Sequence, residues 1–579
     1  MNAGRSGLPG DNAVDKSAAD KSAVGEAVVG EIHGYPLHAD DAAQWQAAGD
    51  AAARGAHAAA ADVIQTLCDR RPHLLPARIQ AGYYRLSAGA YRTAESIALA
   101  AADACADAPP RTPEAAAALI ALLRVFEAHQ AMAEVVDRTD WSTCRDPGVL
   151  VGLVQMLAGL ALYPQAERLL ARADALAPGH PMLAYTRGIF AFVRGDRVAS
   201  QASLARALPA LPQHAAHIGW LRAMQARRDD AEASLRAQVA HLRATRVNAG
   251  SGDAAYRAYA LHRLHDALGE HAAAWDALAE GNAIKAAAAR HDPDADRALF
   301  DALRALPATV AGASEDDGSA PPPVTRTLFV VGMHRSGTSV LERVLSGHSA
   351  VVDGGENHVF PAAMRWATDH RSRGVLDLTT VERAARLGLE DWAEIGRRID
   401  AYAAWRSGGA PWFIEKLPPN ALHAGFILRA MPHARVLCMR RDPMDTCFSN
   451  LRTFFADGIA PYASEQRALA RYALGHADLM RHWRARARGR MVEVDYAAFV
   501  ADPHTEVQRL CAWLGLDVEP RMLDVGRDTG YTATASVADV RRGILRDRGD
   551  AWRPYAAWLR PMQETLAQLG ADTDSPQPD

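Results

Sequence analysis

The sequence predicts an all-helical solenoid followed by a three-layer α/β/α domain with a parallel sheet. At 579 residues the chain is too long for one ordinary core, so at least two domains are expected. Between about residues 40 and 300 the apolar residues recur with helical spacing. Beyond a stretch rich in Gly, Ser and Pro, short β-type runs alternate with helical segments, which is typical of a parallel sheet.

Composition and charge predict a soluble globular protein. Hydrophobic residues make up 49% and charged residues 23%, and a net charge of -4 gives no case for nucleic acid binding. The six cysteines are scattered without a C-x-x-C pair, which predicts a reducing compartment and neither a disulfide framework nor a zinc cluster. No signal-peptide core and no run of 18 apolar residues is found, so we expect a cytoplasmic protein without membrane contact.

Paired helices are the main feature of the first half. The segment AGYYRLSAGAYRTAESIALAAADA is one predicted pair, LVQMLAGLALYPQAERLLARADALAP another and HRLHDALGEHAAAWDALAEGN a third. Turn glycines, small residues where helices touch and unit-closing prolines recur in the region: Gly89, Ala94, Ala166, Pro178, Gly195, Pro212, Gly269 and Ala274. Pro178 and Pro212 lie 34 residues apart, and these marks predict degenerate tetratricopeptide-like repeats. An unrelated Ala-rich helical bundle is the alternative.

Shifts in composition along the chain predict its domain boundaries. The stretch ATVAGASEDDGSAPPPVTR cannot pack a core, so it is predicted to be a linker. The predicted segments are a disordered N-terminal segment (1–37), helical repeats (38–307), the linker (308–326), the α/β domain (327–569) and a disordered tail (570–579).

An anion site is predicted where the second region begins, in LFVVGMHRSGTSVLERVLSGHS, residues 328–349. A strand, a Gly-rich turn and a helix follow one another there, in the outline of a phosphate-binding P-loop. The lysine of the usual pattern is replaced by Thr338, and Arg335 lies inside the loop instead. Backbone amides from Arg335 to Ser339 and the guanidinium would face a tetrahedral anion.

A second anion-binding element is predicted in RVLCMRRDPMDTCFSNLRTFF. Arg441 ends a strand, and Ser449 follows eight residues later in the next helix, so guanidinium and hydroxyl can converge on one phosphate. Asp442 also follows the strand, but the two arginines before it suit anion binding better than magnesium.

Taken together, GMHRSGTS, GGENHVF, EKLPPN and RRDPMDTCFSN resemble the sulfotransferase superfamily. The similarity runs from about residue 326 to 565 and is greatest to the bacterial group in which tetratricopeptide repeats precede a sulfotransferase domain, related to tyrosylprotein sulfotransferases. The resemblance implies a P-loop-like fold that holds 3′-phosphoadenosine 5′-phosphosulfate as co-substrate without a metal.

The resemblance also implies a role for individual residues. Donor binding would involve Arg335, Ser336, Gly337, Thr338 and Ser339 around the 5′-phosphosulfate, with Arg441 and Ser449 at the 3′-phosphate. Catalysis would involve Glu356 as the base, Arg335 and Lys416 at the transferring group, and Ser536 facing the same centre. His358 is the rival base, while a helix-capping role for Glu356 and a solvated strand-end charge for Lys416 are the alternatives without catalysis.

The sequence departs from the tyrosylprotein pattern at two places. The arginine expected one turn after the serine is absent, because Thr453 stands there with Arg452 beside it. Ala497 replaces an acidic residue after Tyr496, so no site role is assigned to Tyr496. The late stretch ILRDRGDAWRPY, with Tyr555, is similar to the family's terminal cofactor-side segment.

The expected activity is transfer of a sulfuryl group to an acceptor hydroxyl. A protein or peptide is the first choice of acceptor, because helical repeats form concave surfaces that commonly hold polypeptides and protein partners. One alternative is a P-loop kinase or nucleotidase, which Thr338 argues against. The other is a repeat scaffold with an inactive domain, against which the intact Arg335, Lys416 and Arg441 argue.

Overall fold

A computed structural model describes residues 28–312, 323–526 and 549–573. The chain forms two compact units. The first contains the residues up to His180 together with Ala362–Ser372, and the second contains Pro181–Pro361 and the residues from Arg373 onward.

The first unit begins with a β-hairpin made of β1 (Val28–Ile32) and β2 (Tyr35–His38). Disorder was predicted up to residue 37, and the structure differs here because Tyr35 and Leu37 are buried. The Thr112 hydroxyl donates to the carbonyl oxygen of His33 at 3.0 Å. Burial of apolar side chains therefore orders a segment whose composition is typical of disorder.

Consecutive helices that pack on one another make up the rest of this unit. They are α1 (Ala39–Ala53), α2 (His57–Arg70), α3 (Leu75–Ser87), α4 (Tyr91–Ala104), α5 (Pro113–Val125), α6 (His129–Arg138), α7 (Pro147–Gly159) and α8 (Tyr163–Leu176). Ala94 and Ala166, predicted at the contacts between paired helices, are fully buried. Small side chains there let the helix axes approach closely.

The second unit opens with further helices. They are α9 (Pro181–Arg194), α10 (Arg197–Ala207), α11 (Ala215–Ala223), α12 (Glu232–Ala244), α13 (Gly252–Ala267), α14 (His271–Ala289) and α15 (Pro293–Ala305). Ser251 begins α13 by accepting a hydrogen bond from the amide of Ala254, and Asp292 caps α15 in the same way. The helical, solenoid-like character predicted for the N-terminal region is confirmed.

A five-stranded parallel sheet follows in the same unit. Its strands are β3 (Arg326–Gly332), β4 (Val351–Asp353), β5 (Trp412–Glu415), β6 (Arg435–Arg440) and β7 (Met491–Asp495), in the order β4-β5-β3-β6-β7. Each neighbouring pair is parallel. The predicted strands LFVV, RVLCM and MVEVDY correspond to β3, β6 and β7.

Helices cover both faces of this sheet, so β3 is buried throughout its apolar run. The helices of this part of the second unit are α16 (Thr338–Leu345), α18 (Leu378–Ala384), α19 (Leu389–Ser407), α20 (Ala424–Ala430), α21 (Pro443–Leu451), α22 (Gln466–Arg486), α23 (Tyr496–Ala501), α24 (Pro503–Leu514) and α25 (Arg560–Thr573). Helix α17 (Val359–Thr368) begins in the second unit, and its residues from Ala362 belong to the first. One core cluster joins Leu328 and Val330 of β3 to residues of α16, α23 and α24. Phe329 points the other way and packs edge-on against Phe360. The three-layer α/β/α architecture is thus as predicted.

The two segments predicted to lack structure before and after the sheet domain are only partly described. Of the linker, residues 313–322 lie outside the described part, whereas Val310 and Ala311 are buried and the amide of Gly312 donates to the carbonyl of Gly425 at 2.8 Å. The final helix continues to Thr573. Within the described ranges, no helix is both long enough and apolar enough to cross a membrane.

Candidate functional site

The candidate site lies at one edge of the parallel sheet, where the carboxyl ends of its strands meet. Gly332 ends β3 at the centre of the sheet. Lys416 immediately follows β5, and Arg441 immediately follows β6. Glu356 lies three residues beyond the end of β4. Strand order therefore brings four predicted segments to the same edge.

The phosphate loop is a tight turn between β3 and α16 whose backbone requires glycine at two places. Gly332 has φ 152° and Gly337 has φ 112°, and Arg335 between them is also left-handed at φ 66°. A Cβ atom on Gly332 would lie 2.8 Å from the carbonyl oxygen of Met439. The Ser336 hydroxyl donates to the Met333 carbonyl at 2.8 Å and closes the turn.

This turn leads directly into the first turn of α16, where Thr338 and Ser339 are both buried. The first amides of a helix have no partner within the helix, and its dipole favours a negative charge there. Arg335 adds a guanidinium to the same loop. The loop can thus hold a phosphate or sulfate group.

Three predicted donor-binding side chains meet beside the loop. The Nε atom of Arg335 donates to the Ser449 hydroxyl at 3.3 Å. A terminal nitrogen of Arg441 reaches the carbonyl oxygen of Arg335 at 3.5 Å. Arg441 and Ser449 thus both contact Arg335, the first at its carbonyl oxygen and the second at its side chain, while their joint role at a 3′-phosphate stays a prediction.

Tyr496, to which the sequence assigned no role, lies against this group. Its ring centroid is 4.7 Å from the guanidinium carbon of Arg441. A Cβ atom on Gly337 would lie 2.5 Å from the same ring. The Asp445 carboxylate lies 3.7 Å from the Arg441 guanidinium. Tyr496 is brought here by the parallel pairing of β6 with β7, so the sequence alone did not predict its contact with Arg441.

A second cluster of charges surrounds Lys416. Its side chain is fully buried, and its Nζ atom donates to the Glu356 carboxylate at 2.5 Å. The Glu342 carboxylate lies 3.6 Å from the same Nζ atom. Burial lowers the pKa of Lys416, but the two carboxylates outweigh it and leave that pKa raised. Lys416 is thus a charged, buried residue rather than a solvated strand end.

The two carboxylates differ in their surroundings. The Glu356 side chain is 35% exposed and can be reached by a substrate. Glu342, in α16, is buried, and burial raises its pKa to about 8 although Lys416 opposes this. Sequence reasoning missed Glu342. Its position one turn after Thr338 in the same helix could have indicated that it lies near the loop. The apolar residues beside it did not show whether its side chain faces the site or the solvent.

His334 occupies the first part of the loop and connects it to Asn450 of α21 and to Tyr462. Its Nδ1 atom lies 3.0 Å from the Tyr462 hydroxyl, and its carbonyl accepts a hydrogen bond from Asn450 at 2.7 Å. Burial is the largest cause that lowers the pKa of His334 to about 4, so the imidazole is neutral near pH 7. The positive charge of Lys416 and the neighbouring His358 lower this pKa further.

Two remaining expectations have different outcomes. Ser536 lies outside the described residues. Tyr555, in the late cofactor-side stretch, is buried against Phe448 of α21 with ring centroids 5.0 Å apart. In the same stretch, the Asp550 amide donates to Asp445 at 2.9 Å. Among the residues that the structure describes, no group of three or more His, Cys, Asp or Glu side chains is placed to hold a metal ion.

Comparison with known proteins identifies the domain around this site. The profile of the Sulfotransferase family matches residues 327–520. An uncharacterized protein of Aquifex aeolicus (strain VF5) is 28% identical over 258 residues, which cover 42% of this chain and 33% of that protein. The chain thus matches one third of this relative's length.

Other relatives carry sulfotransferase names. A Caenorhabditis briggsae protein, named as a candidate protein-tyrosine sulfotransferase, is 24% identical over 262 residues, which cover 44% of this chain and 91% of that protein. A solved sulfotransferase from Alicyclobacillus acidocaldarius is 19% identical with a TM-score of 0.25, covering 43% of this chain and 96% of its own. From the family match and the named relatives, the part of the chain that carries the phosphate loop, residues 327–520, is a sulfotransferase-family domain.

Proposed function

We propose that the chain transfers a sulfuryl group from 3′-phosphoadenosine 5′-phosphosulfate to an acceptor hydroxyl. The observation that carries this proposal is the arrangement of two side-chain clusters at one sheet edge. An anion-binding cluster contains Arg335, Arg441 and Ser449. A proton-accepting cluster contains Glu356 and Lys416.

The anion-binding cluster fits a donor with two phosphate positions. The loop from Arg335 to Ser339 would bind the 5′-phosphosulfate through backbone amides and the Arg335 guanidinium. Arg441 and Ser449 would bind the 3′-phosphate, since Arg441 directly follows β6 and Ser449 lies on α21, both beside that loop. Bidentate guanidinium groups match the tetrahedral oxyanions of such a ligand.

The proton-accepting cluster fits the transfer step. When bound, the donor supplies an activated sulfuryl group on a 5′-phosphate. Glu356 would take the proton of the acceptor hydroxyl while its oxygen forms a bond to sulfur. Lys416 and Arg335 would stabilise the electron pair left on the former bridging oxygen as the old sulfur–oxygen bond breaks.

Glu342 would act as a positioning residue for Lys416. Its raised pKa of about 8 means that it keeps its proton near neutral pH. Glu356 then remains the charged partner of the buried ammonium group, at 2.5 Å. A neutral Glu342 can accept a hydrogen bond from Lys416 without competing as a second negative charge.

The acceptor and the compartment belong to the same proposal. A polypeptide acceptor is supported by the stacked helices α9–α14, which precede the sheet in the same compact unit. A cytoplasmic location is supported by the cysteines, all six of which are free thiols buried in the protein. Ser536 is proposed to face the transferring group, as the family resemblance implies.

A calorimetric titration tests the donor assignment. We expect 3′-phosphoadenosine 5′-phosphate to bind without added metal, and ATP to bind far more weakly. Transfer is then followed as acceptor-dependent conversion of the donor, with a set of tyrosine peptides and simple phenols. Magnesium-dependent ATP turnover with no binding of the adenosine bisphosphate would contradict the proposal and favour a kinase or nucleotidase.

A further inference from the structure

The helices of the second unit contact the part of the sheet domain that follows Ser449. The chain leaves α21 through residues 451–455, called the exit segment here. Ser449 lies in the last turn of α21, two residues before this segment begins. The exit segment is therefore the part of the chain next to Ser449 that can set where its hydroxyl lies relative to the loop.

An aromatic socket on α11 and α13 holds the exit segment at Phe454. The Phe454 ring stacks on Tyr256 with centroids 4.3 Å apart and at an angle of 24°. Tyr259 and Trp220 each place a ring centroid 5.5 Å from it. The Lys285 ammonium of α14 lies 4.8 Å from the same ring. Such contacts order a ring more strongly than its buried area alone.

Polar side chains from α13 and α14 hold Leu451 and Arg452, at the start of the exit segment. Asp266 accepts a hydrogen bond from Arg452 at 2.8 Å, and both side chains are mostly buried. The Asn282 amide donates to the carbonyl of Leu451 at 3.2 Å, where α21 ends. The Tyr555 hydroxyl also donates to Asp266, at 2.7 Å. One carboxylate therefore connects α13, the exit segment and the C-terminal stretch.

The exit segment also contacts the phosphate loop. Phe455 packs edge-on against the His334 ring with centroids 5.2 Å apart. Just before the segment, Asn450 donates to the His334 carbonyl at 2.7 Å. The segment thus lies between the helices and the loop, with contacts on both sides.

From these contacts we infer that Asp266 is a positioning residue for the donor site. By holding Arg452 it fixes the end of α21 and, with it, the Ser449 hydroxyl beside Arg335. Helices α13 and α14 then support the residues proposed to bind the donor's 3′-phosphate, acting through the exit segment. The inference rests on the proposed function, because it concerns that donor.

A comparison of two ligands separates positioning from general stability. In the full chain, Asp266→Asn keeps the size of the side chain but removes the charge that holds Arg452. We expect affinity for 3′-phosphoadenosine 5′-phosphate to fall about ten-fold, a fraction of what a charge-assisted hydrogen bond can contribute. Affinity for adenosine 5′-phosphosulfate, which lacks the 3′-phosphate, should change less than about two-fold.

Glu280→Gln is the matched control on α14. Glu280 forms a half-exposed ion pair with Arg257 at 3.3 Å and takes no part in the contacts above. This variant should bind both ligands as the wild type does. Equal losses for both ligands in Asp266→Asn, or no loss of affinity for the bisphosphate, would overturn the inference.

Hydrogen exchange on the wild-type chain keeps the test independent of variant folding. Binding of 3′-phosphoadenosine 5′-phosphate should slow amide exchange in α13 and α14 as well as in the phosphate loop, with α10 unchanged. Slowing confined to the loop and α21 would overturn the inference while leaving the proposed function intact. Failure of the wild type to bind the bisphosphate at all would overturn the proposed function, and this inference with it.

Discussion

Replacing Glu356 by glutamine tests the chemistry of the site most directly. Glutamine keeps the shape and the hydrogen-bond acceptor for Lys416, but it cannot take a proton from the acceptor hydroxyl. The Glu356 carboxylate lies 2.5 Å from the buried Lys416 ammonium and is 35% exposed, so both a partner and a path for substrate are present. We expect turnover to fall while donor affinity stays nearly unchanged.

The expected loss of turnover follows from the role of Glu356 as general base. General base catalysis contributes about 10²–10⁴-fold, which corresponds to roughly 3–5 kcal/mol in activation free energy. The fold should tolerate the change, because Glu342 remains 3.6 Å from the ammonium group. Glu342 is protonated near pH 7 in the wild type, but loss of the Glu356 charge removes one of the causes that raise its pKa, so Glu342 can then ionise as the partner of Lys416.

The assay combines calorimetry with single-turnover transfer. Glu356→Gln should bind 3′-phosphoadenosine 5′-phosphate like the wild type and convert donor about 10²–10⁴-fold more slowly. Glu342→Gln is the matched control. It should stay close to wild-type turnover near pH 7, because a glutamine and a protonated glutamate carry the same charge. His358→Asn should also keep most of the activity.

Two results would refute this reasoning. Normal turnover in Glu356→Gln together with an inactive His358→Asn would make the histidine the base. A loss of donor affinity as large as the loss of turnover in Glu356→Gln would mean that the carboxylate only positions Lys416 or the loop. Neither outcome argues against donor binding by Arg335, Arg441 and Ser449, since these residues are unchanged in both variants.

Further expected outcomes concern the loop and buried acids. Arg441→Ala or Ser449→Ala should weaken binding of 3′-phosphoadenosine 5′-phosphate by about 10–100-fold and that of adenosine 5′-phosphosulfate little, and equal losses in calorimetry would contradict the 3′-phosphate assignment. Gly337→Ala should lower donor affinity at least about ten-fold, because φ is 112° and the new Cβ would lie 2.5 Å from a tyrosine ring. Gly458→Ala, at φ 81° with open space around it, controls for backbone strain alone. Burial raises the pKa of Glu415 from 4.5 to about 8, so the folded state keeps a proton that the unfolded chain loses in this range. The free energy of unfolding should then fall as pH rises from about 5 to 8, by up to about 1.4 kcal/mol per pH unit for this group. Glu415→Gln should flatten the pH dependence of Tm. An unchanged pH dependence in this variant would show that the carboxyl group titrates normally.

Local patterns carried the prediction of both anion-binding elements. The turn from Gly332 to Gly337 and the eight-residue interval between Arg441 and Ser449 each lie within one strand–turn–helix unit. Within such a unit the short connection and the helical period limit where side chains can point. The convergence of Arg441 and Ser449 on one phosphate was expected on this ground, whereas the contact of Ser449 with Arg335 joins two such units and depends on β3 lying next to β6.

The charge cluster around Lys416 could only be predicted in part. Glu356 and Lys416 were proposed from the family resemblance, whereas Glu342 was missed. Its approach to Lys416 depends on β5 lying next to β3, so that residues far apart in sequence follow adjacent strands. From the sequence alone, a buried glutamate next to apolar residues of a helix cannot be distinguished from an exposed one.

Helical period, strand runs and turn glycines are local properties, so the order of the architectures, helical region then parallel sheet, could be predicted, as could the turn of the phosphate loop. The burial of Tyr35 and Leu37, which orders a segment predicted to be disordered, and the grouping of α13 and α14 with the sheet in one compact unit depend on packing between distant parts of the chain. Contacts such as Asp266 with Arg452 join residues far apart in the chain. Whether such pairs form depends on how the elements pack, since the desolvation of each partner is offset only when the other is brought within hydrogen-bonding distance.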